Sequence, residues 1–205
     1  MFSKETYVRR RAELKKLVGE GIIVLFGNNE APCNYPANGY TPFRQDSSFL
    51  YYFGQHRDGL VGVIDIDNDE EWLLGDDIDV EDIVWMGYTP SVADLAAEVG
   101  VTKTAPMAQL AEICRCGKAT NTTVHFLPPY RHDTKIQIMD LTGIHPSLQK
   151  EKASLPLIKA VVKMRATKSA EEIAYIDAAC DVGYVMHTTA QMLIKPGVTE
   201  RFVAG

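Results

Sequence analysis

The strongest constraint on this chain lies in its last forty residues. Ser169 followed by Glu172 forms a capping box, and from it runs an apolar stripe of Ile173, Ile176, Cys180, Gly183, His187, Ala190 and Ile194 in steps of three and four. The pattern predicts one long helix with a continuous apolar face, and such a face needs a surface to cover it. After Lys195-Pro196-Gly197 a second helix capped by Thr199 is expected over Glu200–Ala204 alone, whereas isolated helices shorter than about 12 residues are marginal in water. The expectation is a chain that stops inside a domain.

The 205 residues, 46% hydrophobic and 23% charged, suffice for one complete domain and part of another. A formal net charge of −6 and a pI near 5.4 argue against nucleic acid as the main partner, because phosphate binding needs a basic face. Arg9, Arg10, Arg11, Lys15 and Lys16 do cluster, but on a predicted helix whose apolar side is Val8, Leu14, Leu17 and Val18; a solvated face is expected for them. The segment Met1–Glu5 has no apolar signal-like core and no later run is long enough for a membrane span, so no membrane association and a cytoplasmic location are expected. Cys33, Cys114, Cys116 and Cys180 then read as reduced thiols, and Cys114-x-Cys116 lacks the second pair that a zinc site would need.

Local signals alternate between strand and helix. Ser3 can cap a first helix that Gly19 and Gly21 end, and the run 21–27, β-branched and apolar between glycines, reads as a buried strand. A turn-rich loop, 28–42, follows. Phe49-Leu-Tyr-Tyr-Phe53 reads as an aromatic core strand after a polar turn in which Arg44 pairs with Asp46 or a backbone carbonyl. Residues 60–66 suit a strand, with 71–74 as its hairpin partner through Asp67-Asn68-Asp69. Helices are expected at 92–99 and 107–114, a strand at 123–127, and a helix capped by Ser154 that breaks at 166–168. Strands alternating with helices give an α/β layer architecture.

No self-sufficient active site is legible. Asp65-x-Asp67-x-Asp69 has the spacing that begins a calcium loop, but Glu70 stands where glycine is required and Asp76 is too short for the bidentate glutamate, so a hairpin turn is the better reading. His56, His125, His132, His145 and His187 show no zinc-ligand spacing, and there is no phosphate-binding glycine loop or nucleophile elbow. His187 reads as a hydrogen-bonded core or interface histidine. The acidic run Asp76, Asp77, Asp79, Glu81 and Asp82 reads as solvated loop carboxylates.

The order of residues in Tyr40-Thr-Pro-Phe-Arg44-Gln45-Asp46-Ser47-Ser-Phe-Leu-Tyr-Tyr-Phe-Gly54 resembles the amino-terminal domain of Xaa-Pro aminopeptidases (aminopeptidase P), in the family that also holds prolidase and creatinase. The likeness continues through Asp82-Ile-Val-Trp85-Met-Gly87, Met164-Arg-Ala-Thr-Lys-Ser-Ala-Glu-Glu-Ile173 and Lys195-Pro-Gly-Val-Thr-Glu200. The resemblance implies a mixed-sheet, ribonuclease-H-like α/β domain over 1–165, then the start of a pita-bread catalytic domain over 166–205. It further implies two divalent cations, usually manganese, on two Asp, one His and two Glu. Those ligands lie downstream of the Pro-Gly-x-Thr-Glu element, so no catalytic or metal residue is assigned here, and Asp177 and Asp181 match none of them. Trp85 of the Trp-x-Gly element is the one residue assigned to the substrate pocket, with a buried core tryptophan as the alternative. The implied parent is a homo-oligomer acting on proline-containing peptides. Its first domain would shape access and assembly, and the 205 residues alone would be inactive. Alternatives are a fragment of a prolidase-like dipeptidase and a stand-alone peptide-binding or oligomerisation module.

Overall fold

The β-branched run after Gly21 forms strand β1 (Ile22–Phe26), and four further strands build one mixed sheet on it: β2 (Val61–Asp65), β3 (Glu70–Leu74), β4 (Lys103–Ala105) and β5 (Val124–His125). The order is β4-β3-β2-β1-β5; β1, β2 and β3 pair antiparallel, while β4 joins β3 and β5 joins β1 in parallel. The computed structural model describes residues 2–34, 39, 42–79, 83–85, 87–115 and 122–205. The chain divides into two compact units, Met1–Lys163 and Met164–Gly205.

In the first unit the sheet is covered on both faces. Ile22, Val24, Val61, Val63 and Leu74 point to one side, where they meet Leu110 and Cys114 at the end of the 107–114 segment and Leu141 of helix α5 (His132–Thr142). The other side packs against α1 (Lys4–Val18) and α2 (Ser47–Phe53). There the Phe53 ring lies so close to Gly62 that a Cβ at 62 would sit 2.1 Å from it, so the strand approaches the helix through a missing side chain. The remaining helices before Ser169 are α3 (Val92–Glu98), α4 (Leu110–Ile113), α6 (Gln149–Lys152) and α7 (Leu155–Ala166), the last of which runs past Lys163.

Two sequence expectations are corrected. The aromatic run 49–53 is helical, not a strand: Asp46 caps it, Gly54 ends it in the left-handed region, and Phe49 and Phe53 stack one turn apart at 5.5 Å. The basic cluster on α1 is not wholly a solvated face. Arg10 and Arg11 are buried, while Val8, assigned to the apolar side, is exposed. Arg11 donates to the Glu71 carboxylate at 2.7 Å, to Tyr52 O at 2.9 Å and to Val99 O at 2.8 Å, which replaces the water its guanidinium gives up. Arg10 lies 3.9 Å over the Tyr51 ring and donates to Tyr51 O. Strand β5 is also shorter than expected, and β4 and α5 carry no clear signal in the sequence.

In the second unit the Ser169–Glu172 capping box forms as expected and starts α8 (Ala170–Leu193); Thr199 caps α9 (Glu200–Ala204). Neither helix has a buried residue, and Ile173, Ile176 and Ile194 of the stripe are exposed. His187 is exposed as well, not a core histidine within this unit.

Replacing Arg11 by Met leaves the carbonyls of Tyr52 and Val99 without their donor and leaves the largely buried Glu71 carboxylate with Lys15, at 3.0 Å, as its remaining ion partner. The variant is expected to lose about 3–5 kcal/mol in urea unfolding followed by Trp72 fluorescence.

Candidate functional site

The segment 44–48 is the most densely tied stretch of loop in the first unit. Gln45 is buried, and its Oε1 accepts from the backbone N–H groups of Asn28 and Asp46 while its Nε2 donates to Arg57 O at 2.7 Å. Asp46 uses Oδ1 to accept from Ser48 N at 2.9 Å and Phe49 N at 2.8 Å, which satisfies two free donors of α2. Its Oδ2 accepts from the Tyr130 hydroxyl at 3.1 Å, so the expected pairing with Arg44 is replaced by helix capping. Asn28 closes the circle by donating to Arg44 O at 2.8 Å and accepting from Tyr130 at 3.3 Å. Partial burial raises the Tyr130 phenol above its ordinary value, and the nearby Asp46 charge adds to this, so the hydroxyl stays a donor.

A groove of about 40 Å³ lies between Val24, Asn28, Asp46, Pro129, Tyr130 and Thr134, with room for a few waters and not for a peptide. At its rim Arg131 holds Asp133 through Nε at 3.1 Å and donates to Asn29 O at 2.8 Å. Partial burial alone would raise Asp133; hydrogen bonds from Arg131, Thr134 N and Asn29 outweigh it and lower the carboxyl below the usual range.

Trp85 sits in a helical turn, 83–85, bounded by Ile83 N donating to Asp79 O and Gly87 N to Ile83 O. It is 81% exposed, and Val84 and Tyr88 beside it are exposed too, so the core alternative for this tryptophan does not hold in the first unit. Tyr40, Thr41, Asp82 and Met86 of the resembling segments, Glu81 of the acidic run, and Cys116 lie outside the described residues. The described carboxylates of the acidic run, Asp76, Asp77 and Asp79, are exposed as expected, and two of them also accept from backbone: Asp76 from Met107 N at 3.1 Å and Asp77 from Val92 N at 2.7 Å.

The carboxylates of the 65–69 turn diverge rather than converge. Asp65 accepts from Asn68 and Arg115, Asp67 from Gly21 N, and Asp69 from Lys15. Among the described residues no group of three or more His, Cys, Asp or Glu is placed to hold a metal ion, so no step through a metal is derived for them. His125, buried at β5, hydrogen-bonds Glu20 O through Nε2 and the Ser154 hydroxyl through Nδ1. No helix among the described residues is long and apolar enough to cross a membrane. The local patterns missed Asn28, Arg57 and Tyr130; only the Pro128-Pro129 pair ahead of Tyr130 marks a rigidly placed loop residue.

Residues 7–125 match the family described as aminopeptidase P, N-terminal domain, and the chain belongs to that family. Among solved structures, the low-pH form of Escherichia coli aminopeptidase P aligns with a TM-score of 0.78 at 22% identity, covering 100% of this chain and 48% of that one. A zinc-substituted form of the E. coli enzyme in complex with product gives 0.78 at 20% identity, and a single-residue variant in complex with substrate gives 0.77 at 21%, with the same coverage. At these identities the likeness shows the fold, an α/β architecture shared with the amino-terminal half of those chains. The chain spans about half the length of the structures it matches. No curated protein matches it closely.

Two measurements check this site. Asp46→Ala removes the acceptor for two helix N–H groups and is expected to cost about 1–2 kcal/mol in denaturant unfolding, with Asp46→Ser recovering most of it. Asp133 has a folded-state pKa below its unfolded value of about 3.9, so its stabilisation is complete above that value and is lost as pH falls through the folded pKa. Asp133→Asn is therefore expected to flatten the acid limb of stability below about pH 4 in a pH series of urea melts.

Proposed function

We propose that this chain is the amino-terminal, non-catalytic portion of a dinuclear-metal Xaa-Pro aminopeptidase, a hydrolase that removes the residue preceding proline from the start of a peptide. The match of residues 7–125 to the aminopeptidase P amino-terminal domain carries this reading. Residues 1–165 are its creatinase- and aminopeptidase P-type domain, and 166–205 open the pita-bread catalytic domain. The two cations of the parent, manganese in the usual case, are bound outside these 205 residues. No bond-breaking step is assigned to them.

The role of the first domain is to shape access of proline-containing peptides and to assemble a cytoplasmic homo-oligomer. Trp85 is its substrate-binding residue. Its exposure favours this, because a large aromatic side chain held in water on a short turn gains most when a ligand or neighbouring chain covers it. The uncovered stripe on α8 agrees with a larger catalytic domain that buries it in the parent.

The purified 205-residue chain with added manganese is expected to release no amino acid from an Xaa-Pro-Xaa tripeptide above the buffer rate, and turnover by this chain would overturn the assignment. In the full-length parent, Trp85→Ala is expected to raise KM for that tripeptide about 3- to 10-fold with a smaller change in kcat, measured by steady-state kinetics.

A further inference from the structure

Residues 76 and 77 leave the end of β3, and 90–92 lead into α3; the segment between them carries Trp85. Its two ends are drawn together by one largely buried cation. Arg57, in the connection between α2 and β2, has a side chain only 16% exposed. Its Nη2 donates to Asp76 O, its Nη1 lies 3.5 Å from Pro90 O, and the same Nη1 is 3.9 Å from the Asp77 carboxylate. Asp77 Oδ1 in turn accepts from Val92 N at 2.7 Å, which closes the neck a second time.

Arg57 is itself held from behind. Its carbonyl accepts from Gln45 Nε2, and the Oε1 of that amide is taken up by Asn28 N and Asp46 N. The Arg-Gln-Asp-Ser segment is thus tied, through the backbone and side chain of Arg57, to Asp76, Asp77 and Pro90, which flank the stretch that carries the Trp-x-Gly element. A planar guanidinium presents several donors in a fixed fork and can hold two carbonyls on different strands of chain at once; an ammonium cannot hold the same pair in one plane.

We propose that Arg57 is a positioning residue for Trp85: it ties Asp76 and Asp77, which follow β3, to Pro90, which precedes α3, so that the two points from which the indole-bearing stretch departs are held together. The consequence for substrate rests on the reading that Trp85 lines the peptide pocket of the parent; the consequence for the segment does not.

The chain has two tryptophans, so in a Trp72→Phe background the fluorescence reports Trp85 alone. In that 205-residue protein, Arg57→Ala and Asp77→Ala are expected to lower the steady-state anisotropy of Trp85 about 1.5-fold as nanosecond motion of the segment is released. Asp77→Asn, which keeps an oxygen for Val92 N, is expected to stay at the starting value, and Arg57→Lys to fall between. Asp77 is 60% exposed at its side chain, so Asp77→Ala decides the matter if Arg57→Ala does not fold by circular dichroism. Unchanged anisotropy in folded Arg57→Ala, or in Asp77→Ala where the former is unfolded, overturns the proposal.

In the full-length parent, Arg57→Ala is expected to raise KM for an Xaa-Pro-Xaa tripeptide about as much as Trp85→Ala, with kcat within about 2-fold and no further rise in the double variant. If anisotropy falls but neither variant moves KM, the clamp stands and the pocket reading fails. If Trp85→Ala raises KM while Arg57→Ala does not, the positioning role fails and the pocket reading stands.

Discussion

Arg11 is the interaction on which the first unit depends. A fully buried guanidinium is tolerated only when its donors are satisfied, and here they reach Glu71 on β3, the carbonyl of Tyr52 near the end of α2 and that of Val99 just past α3. Segments 41 to 88 residues away are fixed to one side chain of α1. Apolar packing of Leu14, Phe49 and Phe53 against the sheet gives the layer its cohesion, but it is non-directional. The guanidinium adds direction, since each of its three nitrogens donates to a different segment.

The same arrangement recurs at smaller scale around the loops. Gln45 and Asn28 spend polar atoms on backbone groups of distant segments while Asp46 caps the adjoining helix, so irregular chain is held by side-chain hydrogen bonds where no strand or helix can hold it. The five-stranded sheet is the rigid base. The described loops that leave it are tied by a short series of polar contacts.

Much of this architecture is legible in residues taken in order. The β1 run between glycines, the β2–β3 hairpin over Asp67-Asn68-Asp69, and both Ser154 and Ser169 as helix starts follow from local chemistry and are found in place. The aromatic run 49–53 misleads because its side chains favour strands in general, while the cap at Asp46 and the left-handed Gly54 specify a helix at this place. The arginines mislead for another reason. Tyr7, Arg10, Arg11 and Leu14 have the spacing of an inward helical face, but charge alone argues for water, and the partners that reverse the argument lie far away in sequence. Arg57 carries no local signal and Tyr130 only the proline pair before it, because their roles are defined by what the fold brings beside them.

The second unit raises a different physical question. At 24 residues, α8 is about 36 Å long and has a capping box at its start, yet it buries none of its side chains. Its shape is set by local terms, whereas that of the sheet domain is set by long-range ones. Taken by itself, a helix of that kind unfolds by a helix–coil process, broad and weakly enthalpic, whereas a packed sheet domain unfolds in one sharp transition to which a single unfolding free energy applies.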